Sequence, residues 1–297
     1  MIRPVDAHLH LWDLSGGGYG WITPELGPLH ASFTAERARA ELDACGIDRA
    51  VLVQADDTVQ DTAFLLDVAD RHGWVAGVVG WVQLDTPATA EQQLARWSAH
   101  RAFRGVRHLV HDDPREDFLA LPAVRVSLRL VAGAGLPLDV PDAWPRHLGA
   151  VVELAAALPE LTIVVDHLGK PPADPDAFTA WRRVLAEVAA RPNTVAKVSG
   201  LQVPGRPFTV DAVRPAWEAA LELFGPGRLL WGSDWPMTLL AGGYPGTWRV
   251  LASLIEELAP AEQELLLVGT ATRVYSLPAP DPTAPDPTAP GSDGEPR

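Results

Sequence analysis

The sequence predicts a single (β/α)8 barrel, an α/β fold in which eight parallel strands alternate with helices. Eight short apolar segments recur along the chain, and amphipathic helical segments separate them, a pattern typical of folds built on a parallel sheet. The length of 297 residues suits one barrel of this kind, which often takes about 250 residues. A doubly wound open sheet is the alternative, but it usually carries a glycine-rich turn after its first strand, and residues 8–13 contain no glycine.

The first half of the chain contains four of the predicted strands. Ile2–Val5 begins the first strand, and a long loop with several glycines and prolines, residues 14–32, follows it. Loops of this length in compact domains are usually functional or mobile, so we expect this one to form a wall or lid of a site. The next strands are predicted at Ala50–Gln54, Val75–Val82 and Phe103–Leu109, and the helices at Thr34–Cys45, Thr58–His72 and Ala88–His100.

The second half continues the alternation up to residue 277, where the predicted barrel domain, 1–277, ends. Residues 278–297 form a proline-rich acidic segment, which cannot bury a core and is predicted to be disordered. Strands are predicted at Leu136–Val140, Leu161–His167, Thr194–Ser199 and Leu229–Ser233, and helices at Leu119–Ala134, Pro145–Leu158, Asp174–Ala190 and Val210–Phe224.

The composition disfavours two classes of partner. The chain has 24 basic and 38 acidic residues, a formal net charge of -14, which disfavours nucleic acid and anionic membranes. Cys45 is the single cysteine, so an intramolecular disulfide cannot form. The sequence shows neither a signal-peptide pattern nor an apolar run of about 18 residues. We therefore expect a cytoplasmic protein that acts on a small molecule, and the oligomeric state is not predicted.

The stretch from Asp6 to Asp13, which includes His8 and His10, is the first candidate for a functional site. Side chains alternate between the two faces of a strand, so two histidines two residues apart point the same way. Such a pair can hold a metal ion or a substrate oxygen, although a bare pair of this kind is more often structural.

Other polar residues lie at the carboxyl ends of the remaining strands, where the active sites of (β/α)8 barrels form. Some have simple structural interpretations: Arg107, Lys197 and Asp139 suit ion pairs, and His100 and His147 are predicted to lie on helix surfaces. The strand-end residues are Gln54, Asp56, Trp81, Gln83, Arg107, His108, Asp139, Asp166, His167, Lys170, Lys197, Ser199, Ser233, Asp234 and Trp235.

Five motifs on these strands together resemble the amidohydrolase superfamily. More narrowly, they resemble its sugar-lactone hydrolases, which include fuconolactonase-like and rhamnonolactonase-like enzymes and relatives acting on pyrone dicarboxylate and sulfomuconolactone. The resemblance covers roughly residues 4–276. The motifs are Asp6–Asp13, Gly105–Arg107, Asp166–Pro171, Lys197–Leu201 and Gly232–Pro236.

The resemblance implies one pocket lined by His8, His10, His167 and Asp234. These four residues would be catalytic, with Asp234 as the general base on water and the histidines stabilising the oxyanion. The same four would be the ligands of one divalent metal, zinc or manganese, although some enzymes of this branch work without metal. The residues expected to bind the lactone are Arg107, Lys170, Trp12, Trp235 and Gln54.

One departure bears on the metal. Many superfamily members have a metal-binding histidine at the end of strand five and a lysine or glutamate at strand four. This chain has Asp139 and Arg107 there, so a binuclear centre bridged by a carboxylated lysine is not expected.

Three alternatives to sugar-lactone hydrolysis remain open at this point. The pocket could hydrolyse a muconate-type or pyrone dicarboxylate lactone. It could instead be a metal-dependent decarboxylase, although that activity normally uses the strand-five histidine that is missing here. A non-catalytic sugar-binding barrel is the third alternative.

Overall fold

Eight parallel strands pair in sequence order in the computed structural model, which describes residues 2–203 and 205–279. Every helix between consecutive strands lies outside the sheet, and the predicted (β/α)8 barrel is confirmed. The strands are Val5–Leu9 (β1), Arg49–Val53 (β2), Val75–Gly80 (β3), Phe103–Arg107 (β4), Leu138–Val140 (β5), Ile163–Val165 (β6), Thr194–Val198 (β7) and Leu229–Trp231 (β8).

The barrel closes where β1 meets the chain just after β8. The His8 carbonyl accepts a hydrogen bond of 2.8 Å from the Asp234 N–H, and the His10 N–H donates one of 2.7 Å to the Trp235 carbonyl. The buried Asp6 carboxylate strengthens this seam, because it accepts hydrogen bonds from the Ser233 N–H at 2.8 Å and the Tyr244 hydroxyl at 2.9 Å.

The helices follow the predicted alternation, and three further helices complete the carboxyl-terminal part. Thr34, Thr58, Asp174 and Thr209 each cap the N-terminus of a helix with a side-chain oxygen, as these residue types favour. The helices are Ala35–Ala44 (α1), Val59–Arg71 (α2), Pro87–Ser98 (α3), Pro122–Gly133 (α4), Leu148–Ala157 (α5), Pro175–Ala189 (α6), Val210–Phe224 (α7), Gly243–Ile255 (α8), Pro260–Glu264 (α9) and Thr270–Val274 (α10).

Several strand boundaries differ from the prediction. The first strand begins at Val5 rather than Ile2, so His8 lies within it. The sixth strand ends at Val165 rather than His167 because residues 166–169 form a tight turn in which His167 has a φ of 56°. A left-handed backbone at a histidine leaves no trace in a hydrophobic pattern, so the sequence could not predict this ending.

The barrel interior has its own apolar cluster, filled by small and β-branched side chains of the strands such as Val51 and Val79. The segment that follows α10 packs against this cluster through Tyr275 and Leu277. Tyr275 also donates a hydrogen bond of 2.8 Å to the buried carboxylate of Asp139 on β5. This segment thus packs against the interior of the barrel and contacts the carboxylate of Asp139 there.

Only the first two residues of the predicted tail, 278–297, belong to the described part of the chain. Pro278 accepts a hydrogen bond of 2.7 Å from Arg49 Nη1 through its carbonyl. The prediction of disorder for residues 280–297 falls outside the described residues. Within 2–203 and 205–279, no helix is both long and apolar enough to cross a membrane.

Candidate active site

The two histidines of β1 face each other, as their spacing predicts. His8 lies in the strand and His10 directly follows it, and their Nε2 atoms are 3.0 Å apart. His8 is completely buried and His10 is 5% exposed. The pair therefore lies at the carboxyl end of the barrel with its imidazole edges turned towards a common centre.

Asp234 and His167 complete this cluster from two turns at the ends of β8 and β6. Both have left-handed backbones, with φ of 63° and 56°, a conformation that is costly for residues other than glycine and is often found at functional sites. Asp234 Oδ1 lies 3.9 Å from His8 Nε2, 3.5 Å from His10 Nε2 and 3.8 Å from His167 Nε2. Three imidazoles thus surround one carboxylate oxygen.

Hydrogen bonds on the far side of two rings fix their orientation. His10 Nδ1 lies 2.8 Å from the Val53 carbonyl, which can only accept, so the proton of neutral His10 lies on Nδ1 and its Nε2 lone pair faces the cluster. His167 Nδ1 lies 2.9 Å from the Ser199 hydroxyl. Such partners hold catalytic or metal-binding imidazoles in one orientation.

Burial determines the protonation states of the cluster. It lowers the pKa of His167, and together with the Lys197 ammonium it holds the pKa of His8 well below the usual range. Burial alone would raise the pKa of Asp234, but neighbouring His167 and Lys170 outweigh it and keep that pKa well below its usual value. Asp234 therefore remains an ionised carboxylate at neutral pH, and burial favours the neutral forms of His8 and His167.

A cavity of about 120 Å³ opens above the cluster. The loop 14–32 forms one wall of it through Trp21, which donates a hydrogen bond of 2.8 Å to the Ala55 carbonyl and packs edge-on against Trp12. The cavity is lined by His10, Trp12, Trp21, Ala55, Arg107, Leu109, His111, Asp112, Asp142, His167, Lys170, Asp234 and Met237.

Two residues expected to bind substrate are buried beside the cavity instead of in its lining. Gln54 donates hydrogen bonds to Asp57 Oδ1 at 2.8 Å and to the Arg107 carbonyl at 3.3 Å. Trp235 packs edge-on against Phe33. The cavity lining does include the other candidates, namely His10, His167, Asp234, Arg107, Lys170 and Trp12, and His8 lies directly beneath it.

The prediction that His147 lies on a helix surface is wrong. This residue precedes α5 and is only 1% exposed, because the segment before the helix folds inward. Sequence reasoning also missed residues that loops bring to the cavity, such as Asp112, Asp142 and Met237. Loop residues carry no periodic signal, so only the folded chain reveals them.

The profile of the amidohydrolase family matches residues 5–277. The chain belongs to the amidohydrolase family. The predicted classification as a hydrolase of this family is confirmed. Two relatives, both L-fucono-1,5-lactonases, are each 34% identical to the chain. The one from Burkholderia ambifaria aligns over 93% of this chain and 96% of its own length, and the one from Burkholderia multivorans over 93% and 97%.

A solved amidohydrolase structure from Burkholderia multivorans with bound zinc is 31% identical. It superposes with a TM-score of 0.85 over 93% of this chain and 99% of its own.

The donor atoms of this amidohydrolase fit a single metal ion. Ligand atoms of His8, His167 and Asp234 all lie within 4.8 Å of one another, and His10 Nε2 is adjacent to them. A tetrahedral ion with bonds of about 2.0–2.1 Å separates its ligands by roughly 3.3 Å, close to the spacings of 3.0–3.9 Å observed here. The two imidazoles and the carboxylate of this group, with a third imidazole next to them, are donors that zinc binds.

Proposed function

We propose that this amidohydrolase hydrolyses the lactone of a sugar acid, with Asp234 as the general base. The observation that carries the proposal is the ionised, buried carboxylate of Asp234 at the floor of a cavity among three imidazoles. Such a carboxylate can take a proton from water as the water attacks the ester carbonyl. The two L-fucono-1,5-lactonases among the relatives support this reaction.

The charges in the cavity support a neutral, hydroxylated substrate. Arg107 and Lys170 are the cations in the lining, and Asp112, Asp142 and Asp234 are its carboxylates. Lys170 Nζ lies 4.0 Å from Asp142 Oδ1, so part of its charge is already balanced. A dicarboxylate would meet more negative than positive charge here, whereas sugar hydroxyls can bond both kinds of group.

The walls of the cavity suit a sugar ring as well. The aromatic faces and edges of Trp12 and Trp21 provide apolar surface for the C–H groups of a ring, while the carboxylates and imidazoles face its hydroxyls. Polar and apolar groups thus share the lining, and placed polar groups of this kind fix the orientation of a bound small molecule.

In the proposed mechanism the lactone carbonyl lies over the imidazoles and water lies beside Asp234. Proton transfer from water to Asp234 accompanies attack on the carbonyl, and donors around His8 stabilise the negative charge that develops on its oxygen. Asp234 then returns the proton to the leaving alkoxide, which opens the ring. A zinc ion held by His8, His10, His167 and Asp234 would supply Lewis-acid polarisation of the carbonyl when bound.

A pH-indicator assay on a panel of aldonolactones and muconate-type lactones, with and without chelator, tests this function. Asp234→Asn should lower kcat/KM on the best sugar lactone by about 10²–10⁴-fold, the usual contribution of a general base. Asp142→Asn is the matched control, because it removes a cavity carboxylate that does not belong to the cluster of His8, His10, His167 and Asp234, and it should change kcat/KM by less than about tenfold.

Two results would contradict the proposal. If Asp234→Asn keeps more than a tenth of the wild-type activity, Asp234 is not the base. Faster hydrolysis of muconate-type lactones than of every sugar lactone would overturn the assignment of the substrate class.

A further inference from the structure

Lys197 on β7 is a completely buried cation directly behind His8. Its ammonium lies 2.6 Å from Asp139 Oδ2, 3.0 Å from Asp166 Oδ1 and 3.0 Å from His8 Nδ1. An ammonium group has three N–H donors and no acceptor. The ammonium donates to Asp139 and forms an ion pair with Asp166, and its other hydrogen-bond partner is a ring nitrogen of the active-site cluster.

His8 consequently has a cation beside each of its two ring nitrogens. Lys197 Nζ lies 3.0 Å from Nδ1, and Arg107 Nη1 lies 3.1 Å from Nε2. A neutral imidazole carries one N–H and one lone pair, so it can accept from only one of these cations. The nitrogen that accepts from a cation carries the lone pair of His8, and the other nitrogen carries the proton.

The contacts around His8 favour a lone pair on Nδ1. Lys197 is fixed by two buried carboxylates, whereas Arg107 has five N–H donors and lines the open cavity. The other candidate partner of Nδ1, Asp166 Oδ1, is farther away at 3.4 Å. On the opposite side, His10 Nε2 lies 3.0 Å from His8 Nε2 and offers a lone pair, because His10 keeps its own proton on Nδ1 towards the Val53 carbonyl.

We propose that Lys197 is a positioning residue that keeps the proton of His8 on Nε2 when no metal is bound. His8 Nε2–H then donates to the lone pair of His10 Nε2, 3.0 Å away, so His8 does not accept from Arg107, and the N–H groups of Arg107 remain for the cavity that it lines. Given the proposed lactone hydrolysis, those N–H groups face the carbonyl oxygen, where donors stabilise developing negative charge. Lys197 contributes without touching the substrate.

The same contact opposes metal binding. A metal ion bonds a lone pair of the imidazole, so on His8 Nε2 it would require the proton to move to Nδ1, where Lys197 donates. Removal of the ammonium group should therefore strengthen the binding of zinc.

Nitrogen NMR of the imidazole rings tests the proposal directly, since ¹⁵N chemical shifts and ring couplings distinguish the two neutral tautomers. In chelator-treated, ¹⁵N-labelled wild type, His8 should show its proton on Nε2 and His10 should show it on Nδ1. His8→Gln assigns the His8 signals by their loss. A wild-type His8 with its proton on Nδ1 would overturn the proposal.

The informative variant is Lys197→Met with Asp139→Asn, which removes the ammonium together with one buried carboxylate and so leaves the local charge unchanged. Its His8 proton should move to Nδ1, towards Asp166, while the His10 signals stay as in wild type. Tyr275→Phe is the control, because it removes a hydrogen bond to Asp139 in the same network without touching His8. An unchanged His8 tautomer in the double variant would refute the role of Lys197, as would a changed one in Tyr275→Phe.

Zinc titration and kinetics complete the test. The double variant should bind zinc more tightly than wild type by calorimetry, and equal or weaker binding would contradict the proposal. In the lactone assay without metal it should lose about tenfold or more in kcat with little change in KM, and an unchanged kcat would also contradict the proposal. The NMR and zinc measurements need no substrate, so they decide the role of Lys197 even if no lactone is hydrolysed.

Discussion

Replacement of Gly200 by alanine should damage the active site through a single methyl group. Gly200 follows β7 with a φ of +56°, and a Cβ atom there would lie 2.4 Å from His167 Nδ1 and 2.7 Å from Asp234 Oδ2. Ordinary contact requires about 3.4 Å or more, so His167 must move by about 1 Å. A displacement of about 1 Å in a catalytic group can cost 10²-fold in rate, and we expect a loss of at least about that size in kcat/KM for Gly200→Ala.

Gly135→Ala separates this steric effect from the cost of the backbone conformation. Gly135 has a similar φ of +70°, but a Cβ atom there meets nothing within 4 Å. The left-handed conformation costs a non-glycine residue roughly 1–2 kcal/mol, so Gly135→Ala should lower the free energy of unfolding by that amount and leave kcat/KM unchanged.

The assay is lactone hydrolysis by both variants beside urea unfolding of each. Gly200→Ala should remain folded at the assay temperature and lose activity, whereas Gly135→Ala should lose only stability. If the kcat/KM of Gly200→Ala stays within about threefold of that of Gly135→Ala, the tight packing of Gly200 against His167 and Asp234 does not control catalysis.

Two further predictions concern stability. Burial raises the pKa of Asp61, which accepts a hydrogen bond from Tyr19 of the loop 14–32, from 3.8 to about 7. A carboxyl with a raised folded-state pKa stabilises the fold fully below its unfolded value and loses this contribution as the pH rises through about 7. The asparagine of Asp61→Asn cannot ionise, so the free energy of unfolding of this variant should rise relative to that of wild type as the pH is raised from 5 to 7.5. Urea unfolding at several pH values measures this difference, and a difference that does not change with pH would contradict the prediction. Tyr244→Phe removes the hydrogen bond to buried Asp6 at the barrel seam and should cost about 1–3 kcal/mol, so a loss below about 0.5 kcal/mol would show that the bond adds little.

The sequence predicts the architecture well because its signals are local and repeated. Apolar runs of strand length recur between amphipathic segments, and the alternation of side chains in a strand correctly turns His8 and His10 to one side. Active sites of (β/α)8 barrels form at the carboxyl ends of the strands, which correctly places His167 and Asp234 beside the two histidines. These inferences need only periodicity and the geometry of a parallel barrel.

Other features depend on contacts between distant segments and could not be predicted. The sequence allows Lys197 to be an ion-pair residue but does not name its partners. The structure shows that they come from three other strands or strand ends: His8, Asp139 and Asp166. Gln54 occupies a strand end yet bonds Asp57 and the Arg107 carbonyl. The turn after a strand decides which of its side chains face the cavity. Such turns contain left-handed residues, as at His167, and the residue pattern does not encode them.

The seam that closes the barrel is also the place where the active site is assembled. Hydrogen bonds there join residues 225 apart in sequence, from Ser233 to His8, and contacts between such distant segments are entropically costly to form and slow folding. His8 and Asp234 meet only when the first strand pairs with the chain beyond the last one. During refolding, the return of enzymatic activity should therefore report this late pairing, and helical circular dichroism should recover before it.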